Sequence, residues 1–198
     1  MNEEFQKRFR NGEEAVFSDI YKQYADMLYG YGMKIVDDPQ VVRECIQSVF
    51  IYLFDKHKSM VIPENLAGYL VSSMKHLLYK VQRQESIFLS LESEQVDKKY
   101  IFNLSIDIAA TMEDSGLREE QLQALQAALD ALSPQQREVI YLRYYKNLSV
   151  DETAAVLEIS HQTVKNVACT AIARLRKNEL LTKAFLLAIA CLFVEHIV

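Results

Sequence analysis

Residues 149–178 read SVDETAAVLEISHQTVKNVACTAIARLRKN, and their punctuation decides the fold of the chain's second half. Ser149 offers an oxygen to open a helix, and Glu152 at the third helical position can return a bond to the Ser149 amide, forming a capping box. A short helix over roughly 150–157 is followed by the tight connection Glu158–Ile159–Ser160, and Ser160 caps the next helix. Amphipathic helices are common, but two of them joined by so short a turn are the signature of a helix-turn-helix. In the second helix Val164, Ala168, Ala171, Ile172 and Leu175 recur every three or four residues and are expected to face a core.

That helix is also basic. Residues 160–178 hold Lys165, Arg174, Arg176 and Lys177 and no carboxylate, in a chain of net charge -5. The average hides a partition: residues 84–132 carry a net of -7 and residues 133–183 a net of +3. Phosphate responds to the local patch, so an acidic total does not exclude nucleic acid. His161, Gln162, Thr163, Lys165 and Asn166 cluster where a recognition helix meets base edges. Gln and Asn suit adenine, Lys suits guanine or a phosphate, and the Thr methyl suits thymine. Arg174, Arg176 and Lys177 lie further along and are expected at the DNA backbone. The competing reading is a basic surface helix that only keeps the protein solvated.

Upstream, "EEQLQALQAALDAL" (119–132) is a further helix, and "SPQQ" gives Ser133 as cap, Pro134 at the first helical position and Gln136 at the third. The helix opened there is expected to reach about Lys146 and carries Val139, Ile140, Leu142 and Tyr144. Residues 84–118 are acidic and weakly periodic, a linker with some local apolar contacts. The first 83 residues read as helices: Val16, Phe17, Ile20, Tyr21, Tyr24, Leu28 and Tyr31 form one stripe, and Val42, Cys45, Ile46, Val49, Phe50 and Leu53 another. Asp38 and Pro39 mark the start of the second of these helices. A loop near "KSMVIPEN" precedes a third, "LAGYLVSSMKHLLYKVQRQ". The expected class is all-α: two small helical domains joined by an acidic linker, the second a four-helix domain containing the helix-turn-helix.

Composition narrows the function. Five glycines and three prolines fit long helices and leave little room for glycine-rich phosphate loops. Cys45, Cys169 and Cys191 are odd in number and scattered, which argues against a disulfide framework and fits a reducing cytoplasm. The N-terminus holds no apolar run that would serve as a signal peptide. His57, His76, His161 and His196 form no metal-spaced pair, and neither an HExxH nor a nucleophile elbow is present, so no enzyme, metal or cofactor is expected.

Taken together, the halves resemble bacterial RNA polymerase sigma factors of the sigma-70 family, in the extracytoplasmic-function (ECF) subfamily. "LSPQQREVIYLRYYKNLSVDETAAVLEISHQTVKNVACTAIARLR" follows the pattern of the family's second domain, with Pro134–Gln136–Arg137, Ala154, Ala155 and Thr163–Val164–Lys165 in the expected places. "FSDIYKQYADMLYGYGMKIVDDPQVVRECIQSVFIYLF" is similar to its polymerase-binding helix pair, with Glu44, Gln47 and Phe50 in the DxxQxxF phase. The resemblance implies four segments: a polymerase- and minus-ten-binding domain over 1–83, a linker over 84–118, a minus-thirty-five-binding domain over 119–179 and an apolar tail over 180–198. It implies core RNA polymerase and promoter DNA as partners. Core-polymerase contacts would fall to Arg43, Glu44, Gln47, Ser48 and Phe50. The minus-ten region would meet Lys75, His76, Tyr79, Lys80 and Arg83, with Tyr69 in the core. The upstream element would meet Ser160, His161, Gln162, Thr163, Lys165, Asn166 and Arg174.

Two departures stand out. The run Glu44–Cys45–Ile46–Gln47–Ser48 lacks one carboxylate usual in the family, and the third helix offers only Lys75, Lys80 and Arg83 as cations, with His76 near an Asn position. The tail "LLTKAFLLAIACLFVEHIV" has an unbroken apolar run from Ala184 to Val194, short of the ~20 residues a membrane span needs. It is expected to pack as a helix, to mediate self-association, or to dock an anti-sigma protein, which in this group is often membrane-bound. The rival functions are an operator-binding helix-turn-helix regulator and a degenerate sigma-like interaction protein that does not initiate transcription.

Overall fold

The computed structural model describes residues 3–63, 65–89, 101–105 and 119–176, with backbone alone over 84–89. The apolar tail and most of the acidic linker lie outside the described residues. Among the described residues the secondary structure is entirely helical. They form two compact units, Met1–Lys99 with Asp151–Glu158, and Tyr100–Val150 with Ile159–Val198. These limits differ from those read in the sequence, since Ile101–Ser105 leaves the linker for the second unit and the helix after Ser149 is grouped with the first.

In the first unit α1 (Glu3–Arg10) packs on α2 (Glu14–Gly32), and α2, α3 (Pro39–Asp55) and α4 (Leu66–Leu89) pack on one another. The chain can begin α3 sharply because the Asp38 carboxylate accepts from the Gln40 and Val41 amides while Pro39 needs no partner. Asn65 Oδ1 accepts the Gly68 amide at 2.9 Å and opens α4 in the same manner. Gln6 holds α1 to the loop before α4, donating to the Ile62 carbonyl at 2.8 Å and accepting the Ile62 amide at 3.2 Å. The core is Phe9, Val16, Ile20, Leu28, Tyr31, Val42, Cys45, Ile46, Val49, Leu53, Leu70, Val71, Met74 and Leu78. Burial, with the Glu44 charge adding to it, pushes the Cys45 thiol up. Gly32 is needed where α2 meets its neighbours: a methyl there would lie 2.7 Å from Val42 Cγ1 and 2.9 Å from Met74 Cε.

One expectation for α2 fails. Tyr21, read on its core stripe, is half exposed and lies with its ring 4.9 Å from Phe50. The stripe is wider than the arc that α3 and α4 cover, so a residue at its edge faces outward.

The second unit is built on α5 (Glu119–Asp130), α6 (Pro134–Ile140) and α8 (His161–Arg176), with α7 (Val150–Leu157) preceding α8 in sequence. The capping box at Ser133 forms in full: its hydroxyl accepts the Gln136 amide and Gln136 Oε1 accepts the Ser133 amide. The helix does not stay α to Lys146. Tyr141–Tyr145 forms a π-turn, closed by the Lys146 amide on the Tyr141 carbonyl at 2.9 Å. The wider turn is held by groups that satisfy the end of the helix: Arg143 donates to the Leu148 carbonyl, and the Leu148 amide reaches Leu142 O. Tyr141 and Tyr145 stack at 5.2 Å, with Lys146 Nζ over both rings.

The linker supplies part of this unit's core. Phe102 is buried with its ring 5.5 Å from Tyr141. Leu104 packs on the cluster Leu129, Leu132, Ala171 and Leu175, and Gln126 Nε2 donates to the Leu104 carbonyl at 3.1 Å. Burying such a Phe is worth roughly 2 kcal/mol, enough to fix a stretch whose neighbours are acidic and weakly patterned.

Candidate nucleic-acid interface and apolar groove

In the short connection before α8, Glu158 sits in the left-handed region at φ 54. Ser160 Oγ then accepts the Thr163 amide at 3.0 Å and lies 2.7 Å from Thr163 Oγ1, so the cap expected at Ser160 forms. Val164, Ala168, Ala171 and Leu175 are buried and Ile172 is half-buried. His161, Gln162, Lys165 and Asn166 are exposed and Thr163 is half-buried, so the expected upstream-element residues share the outer side of the first turns.

Along this face Gln162 Nε2 donates to Asn166 Oδ1 at 2.9 Å, and Thr170 Oγ1 donates to the Asn166 carbonyl at 2.8 Å. The exposed Cys169 lies one turn beyond Lys165. Arg174 is exposed as well, but it is tied back: its Nη1 donates to Gln136 Oε1 at 2.9 Å, the atom that also caps α6. Its charge is thus held at the junction of α6 and α8.

On α4 the spacing of 100° per residue puts Lys75, His76, Tyr79, Lys80 and Arg83 within an arc of roughly 140°. His76, Lys80 and Arg83 are exposed, while Lys75 and Tyr79 are half-buried. Lys75 Nζ lies 5.9 Å from the Tyr79 ring centre, which places a cation beside an aromatic surface. Within the same unit His76 Nε2 is 2.9 Å from Glu158 Oε1, both side chains about two-thirds exposed, a geometry worth little in water. Tyr69 is half-buried, and burial pushes its hydroxyl up.

On α3 Arg43, Glu44, Gln47 and Ser48 are exposed and Phe50 is half-buried. Arg43, Gln47 and Phe50 line a groove of about 590 Å³ together with Tyr21, Ile46, Ile51 and Phe54. Glu44 and Ser48 stand outside it: Gln40 Nε2 donates to Glu44 Oε1, and Ser48 Oγ donates to the Glu44 carbonyl. The sequence reading missed Ile51, Tyr52 and Phe54, which are 52%, 53% and 47% exposed. Their signal was present. Five consecutive apolar residues, Phe50–Phe54, sweep more than a full turn of a helix, so they cannot all face one core. Val49 and Leu53 take the inner positions and the rest form an outward apolar patch. Among the described residues no group of side chains could hold a metal ion.

Residues 122–175 match the family described as Sigma-70, region 4. Proteins similar over most of the length include the RNA polymerase sigma-E factor of Streptomyces avermitilis, 25% identical and covering 85% of this chain and 87% of the relative. The ECF RNA polymerase sigma factor SigX of Bacillus subtilis is 24% identical, covering 83% of this chain and 84% of its own. In fold the chain is similar to a solved complex of the sigma factor RpoE with the anti-sigma factor NepR from Bartonella quintana (TM-score 0.58, 20% identity, 84% of this chain and 96% of that one). It is also similar to CnrH in complex with the cytosolic domain of CnrY (TM-score 0.56, 18% identity, 87% and 93%).

A basic helix after a tight turn, inside the segment that matches region 4, has the sequence order and caps of a helix-turn-helix. Over most of its length the chain is similar to RNA polymerase sigma factors of the extracytoplasmic-function group, and its residues 122–175 match sigma-70 region 4.

Proposed function

We propose that this protein is a transcription initiation factor that binds core RNA polymerase and directs it to specific promoters. The observation that carries the reading is the region 4 match over 122–175, whose last helix presents an exposed polar face free of carboxylates. In this reading 119–179 reads the minus-thirty-five element through Ser160, His161, Gln162, Thr163, Lys165 and Asn166, with Arg174 bracing the helix. The first domain, 1–83, binds core polymerase through Arg43, Glu44, Gln47, Ser48 and Phe50. The exposed Ile51 and Phe54 support that role, because an apolar groove lined also by Arg43 and Gln47 suits a protein partner. The α4 flank of Lys75, His76, Tyr79, Lys80 and Arg83 holds flipped minus-ten bases by stacking and charge.

An anti-sigma protein is the regulatory partner we propose, since a neighbour of similar fold was solved bound to one. The apolar tail is its proposed docking element or a site of self-association; both roles concern residues outside those described. Run-off transcription with the full chain, core polymerase from its own organism and genomic fragments tests the main reading. Distinct starts sharing two spaced upstream elements are expected. Core-polymerase binding without starts would instead favour a degenerate sigma-like protein, and operator binding without polymerase a regulator.

A further inference from the structure

Resting on the upstream-element reading, we infer that Gln162 and Asn166 act as one hydrogen-bonded reading unit whose target is adenine. The buried stripe of α8, Val164, Ala168, Ala171 and Leu175, fixes which side of the helix points away from the protein. At 100° per residue, Gln162 and Asn166 fall within roughly 30° of the direction opposite that stripe. They are the outermost long polar side chains of the first turns, and the residues that continue their ridge, Cys169 and Ala173, are small and exposed. Lys165 stands on one flank of the ridge, about a quarter-turn away, where a cation meets phosphate rather than a base edge.

The pair is joined by the Gln162 Nε2 to Asn166 Oδ1 hydrogen bond of 2.9 Å. A shared bond between two amides consumes one N–H and one lone pair. What remains is the Gln162 oxygen with one of its N–H groups, and both N–H donors of Asn166. Exchanging O and N in both amides only swaps which residue supplies which group. Either way a carboxamide oxygen on one residue stands beside N–H donors on the other. Adenine is the base whose major-groove edge answers both, with an N6 donor and an N7 acceptor. Guanine presents two acceptors and would leave the carboxamide oxygen facing O6. The Thr170 hydroxyl also donates to the Asn166 carbonyl from the following turn.

A unit differs from two independent readers in its mutational signature. Holoenzyme made from the full chain would transcribe a promoter library randomised over the upstream element, with wild type, Gln162→Ala, Asn166→Ala and the double variant compared by sequencing the transcripts. The wild type should require adenine at one position, with guanine there reducing output by about 10-fold or more. Each single variant should flatten preference at that same position, and the double variant should lose no more than either single. Both side chains are exposed, and unchanged helical circular dichroism verifies that the variants fold. Single variants that relax two different positions, or effects that multiply in the double, would overturn the inference. So would wild-type starts at sites with no preferred adenine, leaving the initiation reading intact. A wild type that starts no transcripts sinks the initiation reading itself, and this inference with it.

Discussion

The outward faces of α3 and α8 are built on opposite principles. On α3, Ile51, Tyr52 and Phe54 stand about half exposed, and Ile51 and Phe54 line a groove that also holds Arg43 and Gln47. On α8, the exposed residues from His161 to Arg176 include no large apolar side chain. Water removed from the first face returns free energy through apolar area, at about 25 cal/mol per Å². Water and counterions displaced from the second return it through charge and hydrogen bonds, which salt weakens. A protein partner suits the first face and DNA the second. The difference also predicts which conditions disturb each.

The comparison breaks most completely if the support under one face is removed while the other stays. Phe102→Ala takes a fully buried ring from the second unit and should destabilise it by about 3 kcal/mol. Denaturant unfolding should register that loss, upstream-element binding should fall, and core-polymerase binding should persist. Equal loss of both would show that the two faces share one cooperative support. The mirror experiment is Gly32→Ala, where the new methyl meets the stiff Val42 side chain at 2.7 Å. A cost of about 1–2 kcal/mol to the first unit is expected after the helix-propensity gain, read as a lower thermal midpoint with upstream-element binding unchanged.

Smaller changes sharpen the contrast at the surface. Ile51→Ser with Tyr52→Ser should weaken core-polymerase binding by roughly 10-fold, since a few central residues carry most of an interface. The thermal midpoint should move little, because both side chains are exposed. An unchanged affinity would remove the apolar patch from the polymerase interface. The smallest effect belongs to single charges on α8. Lys165→Gln should reduce the slope of log affinity against log salt for upstream-element DNA by about 1. Arg174→Gln should reduce that slope by less, because one guanidinium N–H is held on Gln136 at the junction of α6 and α8. A loss of slope at Arg174 as large as at Lys165 would return it to the DNA-binding set.

Much of the fold was legible in local pattern. The caps at Asp38, Ser133 and Ser160 all form, because capping depends on residues two or three apart in sequence. The buried stripe of α8 was legible for the same reason. The π-turn at Tyr141–Tyr145 was not, since its register is set by Arg143, Leu148 and the stacking of Tyr141 on Tyr145 after the helix has formed. Phe102 was unreadable as core because it lies in an acidic, weakly periodic stretch, and its partner Tyr141 is far away in sequence. The bond from Arg174 to Gln136 was not legible, because it joins residues far apart in sequence.

The sequence by itself determined the all-α class, the tight turn before Ser160 and the carboxylate-free helix that follows it, because periodicity, caps and charge act over a few residues. The tertiary structure decided which apolar residues are surplus to the core. On α3 the neighbours cover only part of the helix circumference, so Val49 and Leu53 are taken inward while Ile51, Tyr52 and Phe54 are left outside. It also decided that Arg174 braces while Gln162 and Asn166 face away. The direction of a side chain on a helix has meaning only once the opposite side of that helix is packed.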